Sequence, residues 1–243
     1  MNTAVETFGT ASDRTVDAAT PFDRADEYDD LLARGVRLSG EAKPFFIDGR
    51  LADLRAQLPL TCAPDRILDF GCGTGETTAA LSRLFPSSVV VGVDTAERAL
   101  EAARTTHGSS RVTFHTLESH RASDRFDVCY VNGVFHHIAP AERLAAAAWI
   151  WNALEPGGVL ALFENNPWNP GTRMVMKRIP FDRDARTLSV IETRRLLRTA
   201  GFRSCGGGRF LFYFPHALRA LRVIEPWLVR VPFGAQYWVM AVK

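Results

Sequence analysis

A short run of glycines separated by single residues is the feature of this sequence that points most clearly to chemistry. Gly71, Gly73 and Gly75 alternate with Cys72 and a threonine, and Asp69 stands two residues before the first glycine. Glycine lets the backbone turn tightly and approach a ligand where any Cβ would clash. Because the run lies between an apolar segment and a helical one, it is predicted to form a ligand-binding loop. The alternative is a tight turn that only joins the two elements.

A second acid ends the next apolar segment. Asp94 closes the run VVVGVD and is followed by Thr95. In dinucleotide-binding sheets a carboxylate at this place accepts hydrogen bonds from ribose hydroxyls, so Asp94 is predicted to bind the ribose of a nucleoside. The alternative is a cap for the helix that follows. The glycine spacing differs from GxGxxG, since Glu76 follows the third glycine, and this argues against a nicotinamide-dependent oxidoreductase.

Two adjacent histidines are the candidates for acid–base chemistry. His136 and His137 follow the apolar run FDVCYVNGV. An imidazole with a pKa of about 6.5 can take up a proton near neutral pH. Because adjacent side chains point apart, at least one of the two is expected to be structural, and His137 is favoured as the base.

Further polar candidates follow the segment GVLALFEN. Asn166 and Trp168 are interpreted as substrate contacts or, alternatively, as part of a turn made rigid by prolines. Arg173 belongs to a basic stretch, which indicates an anionic substrate if it lines a cleft and a solvated surface otherwise. The cysteines and histidines do not have the spacing of a zinc site, so no metal site is predicted.

The elements that position these residues alternate between strand and helix. Apolar or alternating segments predict strands at 66–71, 89–94, 111–117, 126–134, 158–165, 209–214 and 235–242. Helices are predicted at 22–36, 43–58, 75–85, 96–106, 141–155 and 189–202, while 166–188 reads as irregular. Ser189 and Glu192 form a plausible capping box at the start of the last helix. This alternation predicts a mostly parallel α/β sheet with right-handed crossovers.

The chain divides into three predicted regions. Residues 1–21 are small and polar and are expected to form a flexible tail, residues 22–60 a helical lid, and residues 61–243 one α/β domain. The amphipathic stretch 216–231, interrupted by Pro226, is expected to pack against the sheet or a dimer partner. A basic amphipathic segment can also lie on a membrane surface.

Composition excludes several classes of protein. Lys and Arg number 29 and Asp and Glu 27, a net charge of +2 that argues against a nucleic-acid-coating protein. Apolar residues make up 47% and charged residues 23%, which rules out wholesale disorder. No apolar run is long enough for a transmembrane helix. The N-terminus lacks the pattern of a secretory signal and the four cysteines form no CxxC pair, so a cytoplasmic location is expected.

Four segments occur in an order that resembles the sequential motifs of class I S-adenosylmethionine-dependent methyltransferases. They are ILDFGCGTG, VVVGVD, FDVCYVNGVFHHI and LEPGGVLALFE. The chain is similar in particular to the small-molecule, quinone-biosynthesis-type subgroup. The resemblance implies a Rossmann-like, seven-stranded, mostly parallel sheet with helices on both faces, an antiparallel last strand and an N-terminal helical lid.

The same resemblance implies a site for S-adenosyl-L-methionine, with S-adenosyl-L-homocysteine as the product. Leu117 and Glu118 would contact adenine, Asn132 and Gly133 would lie under the methionine, and Tyr28 would close the lid. The full set implied to bind the cofactor is Tyr28, Asp69, Gly71, Cys72, Gly73, Gly75, Asp94, Thr95, Leu117, Glu118, Asn132 and Gly133.

The activity implied is transfer of a methyl group, by in-line displacement, to a small molecule such as a secondary-metabolite, glycan or lipid precursor. One alternative is an enzyme of the same fold that catalyses a cyclisation or decarboxylation without moving the methyl group. Another is a protein or RNA methyltransferase, and near-neutral charge disfavours RNA. A cofactor-free scaffold would require the glycine loop to be vestigial. A monomer or a homodimer is expected.

Overall fold

The computed structural model describes residues 39–59, 63–119, 125–179, 182, 185–204 and 207–243. The strands in this part of the chain are β1 (Arg66–Phe70), β2 (Val89–Asp94), β3 (Val112–Thr116), β4 (Phe126–Asn132), β5 (Leu154–Asn165), β6 (Arg203–Ser204), β7 (Arg209–Leu211) and β8 (Gln236–Val242). They form one sheet in the order β3-β2-β1-β4-β5-β8-β6, and β7 also pairs with β8.

Helices connect the strands. They are α1 (Lys43–Gln57), α2 (Glu76–Leu84), α3 (Glu97–His107), α4 (Arg143–Ala153), α5 (Pro170–Arg178), α6 (Val190–Thr199), a 3₁₀ helix (His216–Ile224) and α7 (Glu225–Leu228). The predicted capping box is confirmed, because Ser189 and Glu192 bond reciprocally at the start of α6. Among the described residues, no helix has the length and hydrophobicity to cross a bilayer.

The topology confirms the predicted Rossmann-like sheet. β1 pairs in parallel with both β2 and β4, while β8 runs antiparallel to β5. The chain therefore moves from β1 to β2 and β3 on one side and then crosses back to β4 on the other. Ligands of open α/β sheets bind at such a switch point, beyond the carboxyl ends of the strands. Since β6 and β7 share one edge of β8, the sheet is seven strands wide.

Apolar residues fill both faces of the sheet. On one face Val131 and Leu162 pack with Ile150 of α4, in a cluster that also includes α6. On the other face Leu54 of α1 packs in a cluster that includes α2 and Trp238 of β8. Burying a side chain of this size contributes about 1.5–3 kcal/mol. The helices on both faces are thereby confirmed, and α1 is a layer of the core.

Two segments differ from the prediction. Residues 166–188 were expected to be irregular, but α5 forms there because the side chain of Asn169 accepts a hydrogen bond from Thr172 N–H and Pro170 occupies the first turn. The strand predicted at 209–214 ends at Leu211, because Phe212 has a φ of 61° and leaves the extended conformation.

The stretch 216–231 contacts the sheet at its edge, where the N–H of Phe210 in β7 donates to the carbonyl of Val229 at 2.8 Å, but neither the 3₁₀ helix nor α7 has a buried residue. Pro226 lies in the first turn of α7 and so begins a helix. The predicted tail and the helix at 22–36 lie outside the described residues. The boundary between lid and domain at residue 60 stays a prediction.

Candidate active site

The glycine loop between β1 and α2 bends back over the end of β2. The N–H groups of Gly71 and Cys72 both donate to the carbonyl of Val93, at 2.8 and 3.1 Å. Gly73 and Gly75 have left-handed conformations, with φ of 52° and 84°. Glycine adopts this conformation without the steric cost of a Cβ. The loop thus brings bare backbone to the carboxyl end of β1.

The Asp94 carboxylate ties this loop to the segment after β2. Its Oδ2 accepts from the N–H of Gly73 at 2.8 Å, and its Oδ1 accepts from the N–H of Ala96 at 3.0 Å. Because α3 begins at Glu97 with Ala96 as its N-cap residue, the bond to Ala96 lies just before the helix and Asp94 is not the N-cap residue itself. A carboxylate has about four acceptor sites, and two of them remain for a ligand.

A cleft with two lobes lies at the switch point. The larger lobe has a volume of about 500 Å³ and is walled on one side by α1, and the smaller lobe has about 350 Å³ and lies beside Asp94. Cavities of this size hold cofactors and small substrates. Both lobes are lined by Gly71, Gly73, Thr74, Asn132, Gly133 and His137. An elongated ligand can therefore extend from one lobe into the other.

The smaller lobe combines the carboxylates of Asp94 and Glu142 with an apolar wall. Thr95 and Leu117 line it, together with Ala99 and Ile138. Such a wall suits a flat adenine ring, with Asp94 at the ribose. Glu118 is exposed and lies outside the lining of both lobes, so its implied contact with adenine is not found.

Asn132 provides a test of whether the cleft fits the cofactor. Its Oδ1 is buried and has no hydrogen-bond partner among the described residues. Leaving such an acceptor unsatisfied costs about 1–3 kcal/mol. The adjacent Gly133 is fixed by donating its N–H to the carbonyl of Phe163 at 2.9 Å. A ligand that brings an N–H donor, as the ammonium of a methionine moiety does, would satisfy Asn132.

A buried arginine in the larger lobe was missed by the sequence analysis. Arg50 of α1 is 6% exposed, and it donates from Nε to the Tyr130 hydroxyl and from Nη1 to Gln236 Oε1, each at 3.0 Å. Burial raises the pKa of Tyr130 to about 12, so this partner is neutral at physiological pH. Neither bond neutralises the guanidinium, which can hold an anionic group. Nothing in the local sequence distinguishes Arg50 from a solvated helical arginine.

Asp69 lies at the floor of the larger lobe. Its Oδ2 accepts a hydrogen bond from the Thr78 hydroxyl at 2.7 Å. Burial raises the pKa of Asp69 to about 7, against the lowering effect of the Thr78 bond and with a smaller raising effect of Asp94. Asp69 therefore changes its charge near neutral pH.

The two histidines share a buried network with two carboxylates. His136 Nδ1 lies 2.6 Å from Glu164 Oε2, and the Nε2 atoms of His136 and His137 lie 3.7 and 3.4 Å from Asp182 Oδ1. Glu164 also accepts the N–H of Phe135 at 2.7 Å. These contacts fix Glu164 and His136 at the carboxyl end of the sheet.

The network gives the two histidines different charge states. Burial opposes protonation of His136, but Glu164 and Asp182 outweigh it and raise its pKa to about 9. Burial and the neighbouring charge of His136 lower the pKa of His137 to about 4. At neutral pH His136 is a cation and His137 is neutral. With two carboxylates against one imidazolium, the network carries a net negative charge.

The sequence spacing could not reveal this grouping, because Asp182 is far from the histidines along the chain. Ligand atoms of His136, His137 and Asp182 lie within 4.8 Å of one another, a separation that a metal ion could bridge. The 2.6 Å contact to Glu164 identifies His136 first as an ion-pair partner.

The predicted substrate residues lie outside the lining of both lobes. Asn166 is 1% exposed and donates to the carbonyls of Pro232 and Gly234, so it holds a turn and the substrate contact is wrong. Trp168 is exposed, with its ring 6.5 Å from that of Phe210. Arg173 is exposed on α5. The α5 residues that face the larger lobe are Gly171, Thr172, Met174, Val175 and Met176.

Cys72 and Tyr28 are the two remaining residues that the sequence predicts to bind the cofactor. Cys72 lines the larger lobe, and burial raises the pKa of its thiol, so it contributes packing and backbone but no thiolate. It packs with Leu100 and Phe114. Tyr28 lies outside the described residues.

Comparison with known proteins agrees with this architecture. Residues 67–158 match the model of a family described as a methyltransferase domain. Over 133 residues the chain is 33% identical to a trans-aconitate 2-methyltransferase of Rhodopseudomonas palustris, which covers 53% of this chain and 49% of that protein. Over 72 residues it is 43% identical to a malonyl-[acyl-carrier protein] O-methyltransferase of Bacillus cereus, covering 29% and 27%. The chain thus spans about half the length, or less, of these curated relatives.

A solved structure extends the likeness to nearly the whole chain. The S-adenosylmethionine-dependent methyltransferase of Archaeoglobus fulgidus superposes with a TM-score of 0.62 at 17% identity, covering 86% of this chain and 97% of that one. At this identity the match concerns the fold. Together these findings confirm the predicted resemblance: the chain has the fold of solved S-adenosylmethionine-dependent methyltransferases, and residues 67–158 match the methyltransferase domain family.

Proposed function

We propose that this chain binds S-adenosyl-L-methionine in the two-lobed cleft and transfers its methyl group to a small-molecule acceptor. The observation that carries the proposal is the cleft itself, with the glycine loop and Asp94 on one side and the unsatisfied oxygen of Asn132 on the other. The names of the two relatives, which specify trans-aconitate and malonyl-[acyl-carrier protein], support an acceptor other than nucleic acid.

Four residues provide the contacts that this cofactor needs. Asp94 would accept from the ribose hydroxyls and Leu117 would pack on the adenine. Asn132 would accept from the methionine ammonium, and the guanidinium of Arg50 would pair with the methionine carboxylate. When bound, the cofactor supplies a methyl group already activated on a sulfonium.

The residues of the chain then contribute orientation and exclusion of water, which an in-line displacement chiefly requires. The network of Glu164, His136 and Asp182 carries a net negative charge at the larger lobe, which Asp182 lines, so it suits a sulfonium held in that lobe. His136 already holds its proton and acts as a positioning residue, because Glu164 fixes it. His137 and Asp182, both lining the larger lobe, would accept hydrogen bonds from the acceptor.

This charge pattern favours an acceptor that carries a hydroxyl or amine at its reacting end. Arg173 does not line the cleft, but an anionic acceptor keeps its support from Lys43 and Arg222, which line the larger lobe, and from the relatives' names, both of which specify carboxylic acids. Farther from the network, Phe45, Phe46 and Phe212 provide an apolar wall for the rest of the molecule.

The proposal includes a cytoplasmic location and no nucleic-acid partner. Cys72 and Cys129 are buried free thiols, which supports a reducing compartment. The net charge of +2 supports the absence of a nucleic-acid partner. A monomer or a homodimer fits the proposal equally.

The test uses methyl-labelled S-adenosylmethionine with an extract of the source organism and purified protein. We expect label in a small-molecule or lipid fraction, together with an equal amount of S-adenosylhomocysteine, and loss of both with Asp94→Ala. Label in protein or RNA would contradict the acceptor class. Turnover of an acceptor with the labelled cofactor left intact would contradict methyl transfer and indicate the cyclising or decarboxylating alternative.

A further inference from the structure

Residues 216–233, which we call the mouth segment, carry a cluster of exposed apolar side chains. Trp227 is 75% exposed, Val223 69% and Phe233 62%. The exposed large apolar residues of the segment are Leu218, Leu221, Val223, Ile224, Trp227, Val231 and Phe233. These are seven of the eleven such residues in the described part of the chain, so apolar exposure is concentrated here. Clusters of this kind mark interaction surfaces.

The mouth segment borders the larger lobe. Phe212 and Phe214, just before it, line that lobe, and so does Arg222 within it. At its other end, the side chain of Asn169 donates to the carbonyl of Phe233 at 2.6 Å, which joins the segment to the start of α5. The exposed apolar surface is therefore continuous with the residues that line the cleft.

Polar groups of the mouth segment turn inward and leave the apolar ones outside. Glu225 Oε1 accepts from the N–H groups of Tyr213 and Phe214, both at 3.1 Å. The Tyr213 hydroxyl contacts the carbonyls of Leu228 and Val231. These bonds fix the backbone with its apolar side chains facing solvent, so the exposure is built into the fold.

The charges of the mouth segment indicate the kind of surface that would bind to it. Arg219 and Arg230 are exposed, while Glu225, the one acid in the segment, bonds the backbone. Apolar side chains flanked by arginines match the interface of a bilayer that contains anionic lipids. A two-fold contact with a second copy would instead gather like-charged arginines of both copies in one interface.

We propose that the mouth segment docks on an anionic lipid surface and holds the entrance of the larger lobe against it. The acceptor is then an amphipathic molecule that enters the cleft from the lipid surface, with its apolar part against Phe45 and Phe212. The statement about the acceptor rests on the proposed function, whereas the docking does not. Trp227 and Phe233 insert among the headgroups, and Arg219 and Arg230 attract the lipid phosphates.

The experiment measures co-sedimentation of the full chain with vesicles of phosphatidylcholine alone or mixed with phosphatidylglycerol. We expect binding to the mixed vesicles that weakens with salt. Trp227→Ser with Phe233→Ser should weaken partitioning about tenfold or more, because two rings no longer leave water. Ile191→Ser, which removes an exposed apolar side chain on α6, is the matched control and should change nothing.

The contribution of the exposed arginines to vesicle binding is tested separately, with its own control. Arg219→Gln with Arg230→Gln should weaken partitioning about fivefold for each charge removed. Arg198→Gln, which removes an exposed arginine of α6, should leave it unchanged. Affinity for S-adenosylhomocysteine should be the same in all these variants, which separates failure of docking from failure of the cofactor site.

Three results would overturn the docking proposal. The first is absence of binding to any vesicle at low salt. The second is equal loss of binding with Ile191→Ser and with the Trp227 and Phe233 variants. The third is a concentration-dependent dimer that the Trp227 and Phe233 changes abolish, which would assign the surface to a second copy.

Discussion

At the scale of single residues, the site depends on pKa values that burial and close contacts move away from their ordinary range. His136 is held as a cation by Glu164 and Asp182, and this charge in turn keeps His137 neutral. The ordinary pKa of imidazole predicts His137 as a general base. In the fold, His137 binds protons too weakly to fill that role well, and His136 already holds one.

The first prediction concerns stability as a function of pH. The pKa of His136 is about 9 in the folded chain and about 6.5 when unfolded. Its ion pairs therefore stabilise the fold fully below pH of about 6.5, and this stabilisation is lost as pH rises towards 9. The full contribution is about 3 kcal/mol. Urea unfolding across this range should show the loss, and His136→Gln should remove most of it.

The control for this measurement is His115→Gln, which changes an exposed histidine at the end of β3. It should retain the pH dependence of the wild type. If His136→Gln and the wild type lost stability in parallel between neutral and alkaline pH, the ion pair with Glu164 would not hold the proton as described.

At the scale of elements, two glycines of the loop are needed for different reasons. Gly75 is needed for the packing of the fold, and Gly73 is needed to keep the cleft open for a ligand. A Cβ on Gly75 would lie 2.8 Å from the ring of Phe114 and 3.0 Å from Ala103, whereas a Cβ on Gly73 would meet no atom within 4 Å. Both residues have positive φ. The open space beside Gly73 is the cleft, since Gly73 lines both lobes.

The second prediction compares Gly73→Ala with Gly75→Ala, each a control for the other. Gly73→Ala should lower the free energy of unfolding by about 1 kcal/mol, the cost of a left-handed alanine. It should weaken binding of S-adenosylhomocysteine more than tenfold, because the methyl group enters the cleft. Gly75→Ala should destabilise more, by about 2–4 kcal/mol, since it adds overpacking to the same strain. Equal effects of the two changes on both stability and affinity would contradict this division.

Much of the fold was predictable, because its central strands are mainly apolar runs that end at or just before a glycine, an aspartate or an asparagine. The capping box at Ser189 was also visible, since it depends on residues close in sequence. α5 was missed because prolines were read as breaks, although Asn169 and Pro170 are residues that begin a helix. The end of β7 depends on the φ of Phe212, and this conformation has no sequence signal.

The site residues that lie at strand ends could be predicted from the sequence. The site residues that tertiary packing brings in from distant segments could not. Asp94 and Asn132 lie at strand ends, so their place at the switch point follows from the topology. Arg50 and Asp182 reach the cleft from distant segments. Asn166 was misassigned because its polar side chain bonds the backbone of the segment before β8. The residue type alone does not distinguish an asparagine that contacts a substrate from one that bonds the backbone.

At the scale of the whole molecule, one sheet edge unites the smaller lobe, the larger lobe and the mouth segment. The carboxyl ends of β1 and β4 supply the residues common to both lobes. α1, α5 and the chain between β7 and β8 all line the larger lobe. The lobe therefore forms a path that extends from Arg222 of the mouth segment to the residues shared by both lobes. The central claim is that the path leads to a bound S-adenosylmethionine.

Calorimetric titration with S-adenosylhomocysteine tests that claim most directly. We predict one site per chain, and weakening by about 1–3 kcal/mol in Asp94→Ala, the cost of lost hydrogen bonds to a charged group. Glu118→Ala is the matched control, because this nearby acid is exposed and lies outside both lobes, and its affinity should equal that of the wild type. Absence of binding, or equal affinity in Asp94→Ala and the wild type, would contradict the account.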